Sequence, residues 1–221
     1  SCRFVLYQKN FPVASSPTLE LSLREAPTNL HLALGDDPSV MVIHFTTGST
    51  TSGTPVAMYG KESPTSKVEG TSATYEASDM CGAPANTTGT GQFASPGMLH
   101  TIELINLQPN TYYTYKVGST FGQGVAWSDT FVFRSSPLVG DDSEPYTYVV
   151  YGDQGCPSVP GWGQGSEWTS AMVARDPDVR AVHHFGDLSY ARGAAHIWDE
   201  WLTVVEAFAT RVPLMIAVGN H

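Results

Sequence analysis

The sequence predicts a β-sandwich followed by the first half of an α/β domain, in the order β-α-β-α-β. Three observations predict it. From about Thr18 to Arg134 short apolar runs recur between turn signals, with no convincing amphipathic helix among them. After Pro145 the rhythm changes to strand, helix, strand, helix, strand. Between the two lies a short polar, proline-bearing stretch that reads as a linker. The chain accordingly divides into an N-terminal extension (1–17), a sandwich (18–137), a linker (138–145) and an α/β portion (146–221).

Strands of the sandwich are expected at 19–23, 30–34, 40–46, 56–59, 66–75, 99–104, 112–117 and 130–134. In the seventh of these Tyr113, Tyr115 and Val117 alternate onto one face, as a half-buried strand requires. Beyond the linker, apolar runs at 148–151, 181–185 and 214–218 read as buried strands. The helix expected at 166–176 has Ser166 as its cap and Trp168 and Met172 four residues apart, and Asp176-Pro177 stops it. A second helix, 194–210, carries the apolar stripe Ile197, Trp201, Val204, Val205 and Phe208, and Pro213 separates it from the last strand. Three parallel strands with two crossover helices leave more edges and faces open than a finished domain does. The α/β portion is therefore expected to be continued elsewhere.

Composition narrows the function classes. The 221 residues carry a net charge of −10, which disfavours a nucleic-acid surface and offers no basic tract for anionic lipid. The excess is uneven: 7 basic and 10 acidic residues (−3) over 1–140, against 4 and 11 (−7) over 141–221. Carboxylates placed for cations would account for part of it. No apolar run approaches the roughly 20 residues of a transmembrane helix. Cys2, Cys81 and Cys156 are too few for a disulfide framework. A Cys2–Cys81 bridge would tie the N-terminus to a long loop and leave Cys156 free, or paired outside the chain. Asn86-Thr87-Thr88 is a glycosylation sequon in a Gly/Pro/Thr-rich stretch. No secretory signal precedes Ser1, although a mature protein would have lost one.

The chemistry sits at the ends of the three C-terminal strands. Gly152-Asp153-Gln154-Gly155, Gly186-Asp187-Leu188-Ser189-Tyr190 and Gly219-Asn220-His221 each follow an apolar run. From Asp153 to Asp187 is 34 residues and from Asp187 to Asn220 is 33, about one strand, crossover helix and return. Oxygen donors would thus stand side by side at the carboxyl ends of neighbouring parallel strands, where open α/β sheets bind ligands. Asp187 can bridge two cations, Asp153 can hold one, and the Asn220 carbonyl can hold the other. His183 and His184 lie inside a strand and read as packed histidines. His31, His44, His100 and His196 show no ligand spacing.

These segments, in this order and spacing, resemble the first three metal motifs of purple acid phosphatases, metallophosphoesterases that pair iron(III) with zinc, manganese or iron(II). Gly186–Arg192 (GDLSYAR), Trp198-x-x-Trp201 and Pro213–His221 (PLMIAVGNH) are similar to family sequence, and 30–35, 41–46, 100–118 and 127–137 resemble the fibronectin III-like sandwich of plant and fungal members. The resemblance implies Asp153 and Tyr190 as iron ligands, Asp187 as the bridging carboxylate, Asn220 as a ligand of the divalent metal, and His221 as a catalytic hydrogen-bond donor to the substrate phosphate. It implies hydrolysis of phosphate monoesters by a metal-bound hydroxide at acid pH. It also implies a secreted, extracellular or vacuolar/lysosomal protein. Two further motifs bearing histidine ligands would lie beyond His221, on a C-terminal remainder or a partner chain, so the 221 residues alone are expected to be inactive. The competing readings are a nucleotide phosphodiesterase or pyrophosphatase on the same scaffold, and a non-catalytic sandwich module with a phosphatase remnant.

Overall fold

The computed structural model describes residues 5–8, 11–15, 25–48, 53–88, 92–122 and 124–221, with side chains from Glu25 onward. The strand expected at 19–23 and Cys2 lie outside the described residues. Near the N-terminus β1 (Val5–Gln8) and β2 (Phe11–Ser15) form an antiparallel hairpin.

Two antiparallel sheets build the sandwich. One runs β3 (Thr28–Leu34), β4 (Met41–Thr47), β8 (Met98–Leu104), β7 (Thr71–Ala73) in spatial order. In the other β9 (Tyr112–Phe121) is central, pairing on one side with β5 (Pro55–Gly60), which pairs with β6 (Ser66–Glu69). Along its other side β9 pairs with β10 (Gly124–Trp127) and then β11 (Phe131–Arg134). Alternation does what the sequence requires of it. Met41, Ile43 and Phe45 of β4 and Ile102 and Leu104 of β8 meet Tyr113, Tyr115, Val117 and Phe133 in a single apolar core.

Two details differ from the expectation. The run at 66–75 is two strands in different sheets, because the chain changes sheet at Gly70. A Cβ there would lie 2.1 Å from the Thr101 carbonyl oxygen, so only glycine turns this corner. β10 was not anticipated; it completes a tight hairpin with β9. The corner at 107–112 is tied by Tyr113, whose hydroxyl accepts the Gln108 N–H at 2.9 Å. Tyr112 instead faces solvent.

The α/β portion is a three-stranded parallel sheet, β12 (Thr147–Tyr151), β13 (Val179–His184), β14 (Leu214–Ile216), with β13 central. Its crossovers are α1 (Ser166–Arg175) and α2 (Ala195–Ala209). Trp201, Val205 and Phe208 of α2 fill the second core with Val182, Leu188 and Leu214. Val204 is only partly buried.

Helix α1 corrects the sequence reading twice. Its N-cap is Gly165, in left-handed backbone, and Ser166 is the first helical residue, buried with an unpartnered hydroxyl rather than capping. Trp168 and Met172 are 69 % and 48 % exposed, while the helix presents Ser166, Ser170 and Val173 inward. Small residues on that side let α1 approach the loop after β12 closely. Its last carbonyls are closed by Arg211, which donates to Val173 O at 3.1 Å and Asp176 O at 2.9 Å. Helix α2 has no side-chain cap; the Ala195 N–H is taken by Gln92 O, on a sandwich loop, at 2.9 Å.

Further bonds tie the two portions together. Tyr115 donates to Thr210 O at 2.7 Å in a buried setting, and Arg180 donates to Ser135 O at 3.0 Å and Asn110 Oδ1 at 3.2 Å. Tyr115→Phe, which orphans the Thr210 carbonyl, is expected to cost about 1–2 kcal/mol in urea unfolding. A wild-type midpoint would show that this bond carries no stability.

Candidate metal centre

The in-register sheet brings the three strand ends level: Tyr151 pairs with His184, and His184 with Ile216. The loops that follow are then laced to one another. Asp153 N–H donates to Gly186 O at 3.0 Å, Gly155 N–H to Leu188 O at 2.8 Å, and Ala217 N–H to His184 O at 2.8 Å. His221 N–H donates to Asp187 Oδ1 at 3.0 Å, and Tyr190 donates its hydroxyl to Asp153 Oδ1 at 2.9 Å. Two carboxylates and a phenol from two loops, Asp153 after β12 and Asp187 with Tyr190 after β13, therefore converge at one edge. Among the described residues no three His, Cys, Asp or Glu side chains do so. Tyr190 is the third oxygen donor of the cluster, and Asn220 stands exposed on the loop after β14.

Backbone strain marks the same place. Of seven described non-glycine residues with positive φ, three are asparagines, which tolerate it. The other four are Asp153 (58°), Asp187 (52°), Tyr190 (55°) and Arg192 (49°). Aspartate tolerates this region much as asparagine does, so the cost, on the order of 1 kcal/mol each, falls on Tyr190 and Arg192, and such strain concentrates where geometry serves function. Gly219 is required by the same packing: a Cβ would sit 1.9 Å from Asp187 Oδ1.

Environments differ across the set. Asp187 and Tyr190 are buried, whereas Asp153, Asn220 and His221 are exposed. Burial, reinforced by the Asp153 and Asp187 carboxylates, pushes the Tyr190 phenol well above the ordinary tyrosine range. The His221 ring lies 5.2 Å from that of Tyr190 and 5.8 Å from Trp162. Trp162 itself packs 4.6 Å from Tyr190, with the Arg192 guanidinium 5.1 Å from its ring.

Sequence reasoning missed Trp162, which reaches the site from the glycine-rich loop before α1, and Gln154. Gln154 is a buried knot: its amide donates to Ser166 O (3.3 Å) and Ser170 Oγ (2.9 Å), and its carbonyl accepts from Trp201 Nε1 (3.1 Å) and Tyr151 (3.3 Å). All four bonds of the amide are made, so the loop bearing Asp153 is anchored to both helices. Its position directly after Asp153 was the only local signal. Cys156 is fully buried, donates to Ile197 O at 3.2 Å, and has its thiol pushed up to about 12, first by burial and then by Glu200. Cys81 and Asn86 are exposed, Asn86 on a turn closed by its own N–H to Gly82 O.

His184 lies beneath the centre, 1 % exposed, against Tyr151 (4.7 Å) and Trp201 (5.9 Å), with neither ring nitrogen hydrogen-bonded among the described residues. Burial lowers its pKa to about 4, over the opposing pull of Asp153 and Asp187; His44 is lowered likewise to about 4. The unfolded chain takes up these protons near pH 6.5 and the folded chain near 4. Stability is then complete above 6.5 and falls as pH drops toward 4. Urea midpoints should fall across that window and fall less in His184→Phe; a flat profile in the wild type would contradict the burial of a neutral ring.

Comparison with known proteins is then direct. The family described as "Purple acid Phosphatase, N-terminal domain" matches residues 27–135. The structure of purple acid phosphatase PPD1 from yellow lupin (Lupinus luteus) seeds superposes with a TM-score of 0.80 at 32 % identity, over 96 % of this chain and 38 % of that one. The chain belongs to the purple acid phosphatase family. Among Arabidopsis thaliana purple acid phosphatases, "Probable inactive purple acid phosphatase 1" is 34 % identical over 95 % of this chain and 35 % of its own length. "Purple acid phosphatase 22" is 32 % identical over 58 % of this chain and 26 % of its own. The chain thus spans about a third of the length of the curated relatives it matches along most of its own length.

Proposed function

We propose that this chain carries half of a dinuclear metallophosphoesterase centre that hydrolyses phosphate monoesters when the remaining ligands are supplied. The observation that carries this reading is the convergence of Asp153, Asp187 and Tyr190 on one edge of the parallel sheet. The donors fit an iron(III) ion paired with zinc, manganese or iron(II), because all are oxygens and two are carboxylates. Asp153 and Tyr190 would hold the first, Asn220 the second, and Asp187 both.

When bound, such a pair supplies Lewis-acid polarisation of phosphoryl oxygens and lowers the pKa of water. The chain's own residues prepare the ground. Asp187 is preorganised by the His221 N–H and by the bare backbone of Gly219. Tyr190 keeps its proton and donates it to Asp153; a cation between them favours the phenolate instead. His221, exposed beside Tyr190, donates to a phosphate oxygen as negative charge grows on it.

The test is the visible spectrum of the iron-loaded protein. A tyrosinate-to-iron charge-transfer band that Tyr190→Phe removes is the expected result. Iron uptake without the band, or a band that survives the substitution, would overturn the assignment. A second reading, a non-catalytic metal-binding module, is favoured by the naming of several relatives as probable inactive. Full metal loading with no turnover of aryl phosphate in a longer form carrying the remaining ligands would select it.

A further inference from the structure

The antiparallel register of β3 and β4 sets His31 directly opposite His44, thirteen residues away in sequence. Their rings stack with centroids 5.1 Å apart. Each ring is anchored through Nδ1. His31 Nδ1 lies 2.9 Å from Asn29 O, an acceptor only, so this nitrogen carries the proton and Nε2 carries the lone pair. His44 Nδ1 is 3.1 Å from Thr101 Oγ1. Neither Nε2 has a protein hydrogen-bond partner among the described residues. A backbone carbonyl on one ring nitrogen and a free lone pair on the other is the arrangement that orients metal-ligating histidines.

Both rings line a cavity of about 380 Å³ between the sandwich and the α/β portion, walled opposite by Trp198 and Trp201. Met215 of β14 lines the same cavity. Its sulfur accepts the Leu34 N–H at 3.2 Å and keeps a second lone pair. Among the described residues no carboxylate lines the cavity. The nearby acids are already engaged: Asp199 with the Asn29 side chain, and Glu206 with the backbone of Asn29 and Leu30. Burial keeps both imidazoles neutral, with their pKa values lowered.

We propose that His31, His44 and Met215 form a binding site for a monovalent copper ion at the junction of the two portions. Two imidazole nitrogens and a thioether are soft to borderline donors, which select copper(I) over hard cations. A neutral donor set in an apolar cavity admits a single charge at far lower desolvation cost than a double one. Metal–nitrogen bonds of about 2 Å require both Nε2 atoms to turn toward one point of the cavity. The oxygen-rich edge around Asp187 suits the opposite class of ion, so the two sites do not compete.

Copper(I) is titrated anaerobically into the 221-residue chain against a chromophoric chelator. Cys2→Ser and Cys81→Ser form the background, because a thiol binds the same ion and Cys81 is exposed. One equivalent should be withdrawn from the chelator. His31→Gln, His44→Gln and Met215→Leu should each weaken binding by about tenfold or more while circular dichroism stays unchanged. Should a glutamine variant lose its fold, Met215→Leu and the conservative His31→Asn decide in its place. No withdrawal from the chelator, or affinities within about twofold of the background protein in folded variants, overturns the site.

Discussion

Asp187→Ala is expected to lower the affinity of the strand-end site for cations by at least about 100-fold, since ligand substitutions cost no less than those of supporting residues. The Asp187 carboxylate is buried, receives the His221 N–H at 3.0 Å, and lies against Gly219 so closely that a Cβ there would come within 1.9 Å. Isothermal titration with manganese or zinc on the chain reads the loss directly. Any longer form that turns over phosphate esters should lose activity in parallel. Asp187→Asn separates two contributions: it can still accept the His221 N–H but lacks the charge. Gly219→Ala should reproduce the defect by displacing the carboxylate with every ligand still present. Two metals bound with undiminished turnover in Asp187→Ala would refute the centre.

Trp201→Ala carries the largest expected effect on stability, about 3–5 kcal/mol. Trp201 is 2 % exposed in the α/β core, and its indole N–H supports the Gln154 carbonyl at 3.1 Å. Removal opens a cavity and strips one bond from the residue that anchors the Asp153 loop. Against a typical domain stability of about 5–15 kcal/mol, this is a large share. Trp201→Phe retains most of the apolar volume and isolates the hydrogen bond, at about 1–2 kcal/mol. Urea unfolding of both variants checks the ordering. A loss below about 1 kcal/mol in Trp201→Ala would mean that the α/β core does not depend on this contact.

The parts legible in the sequence were those governed by short-range periodicity. The alternation of Met41, Ile43 and Phe45 is visible in any window of seven residues, and burial follows from it. The Gly-Asp and Gly-Asn segments were legible because each ends its own strand. What escaped depended on partners far away in the chain. Trp168 and Met172 have helical spacing, yet the inward side of α1 is chosen by the close approach of Gln154 and Ser170. The division of 66–75 into two strands rests on the Thr101 carbonyl facing Gly70. The cap of α2 comes from a sandwich loop more than a hundred residues earlier, at Gln92.

Composition and local pattern alone determined the order of elements, the division between a β-rich and an α/β rhythm, and the oxygen donors at the strand ends. The tertiary structure decided which of those groups meet. It set Tyr190 against Asp153, buried His184 without a hydrogen-bond partner among the described residues, and stacked His31 on His44 across a strand pair. The reason is physical. Periodicity of 2.0 or 3.6 residues is written along the chain, whereas register and packing depend on contacts between segments that no local window contains.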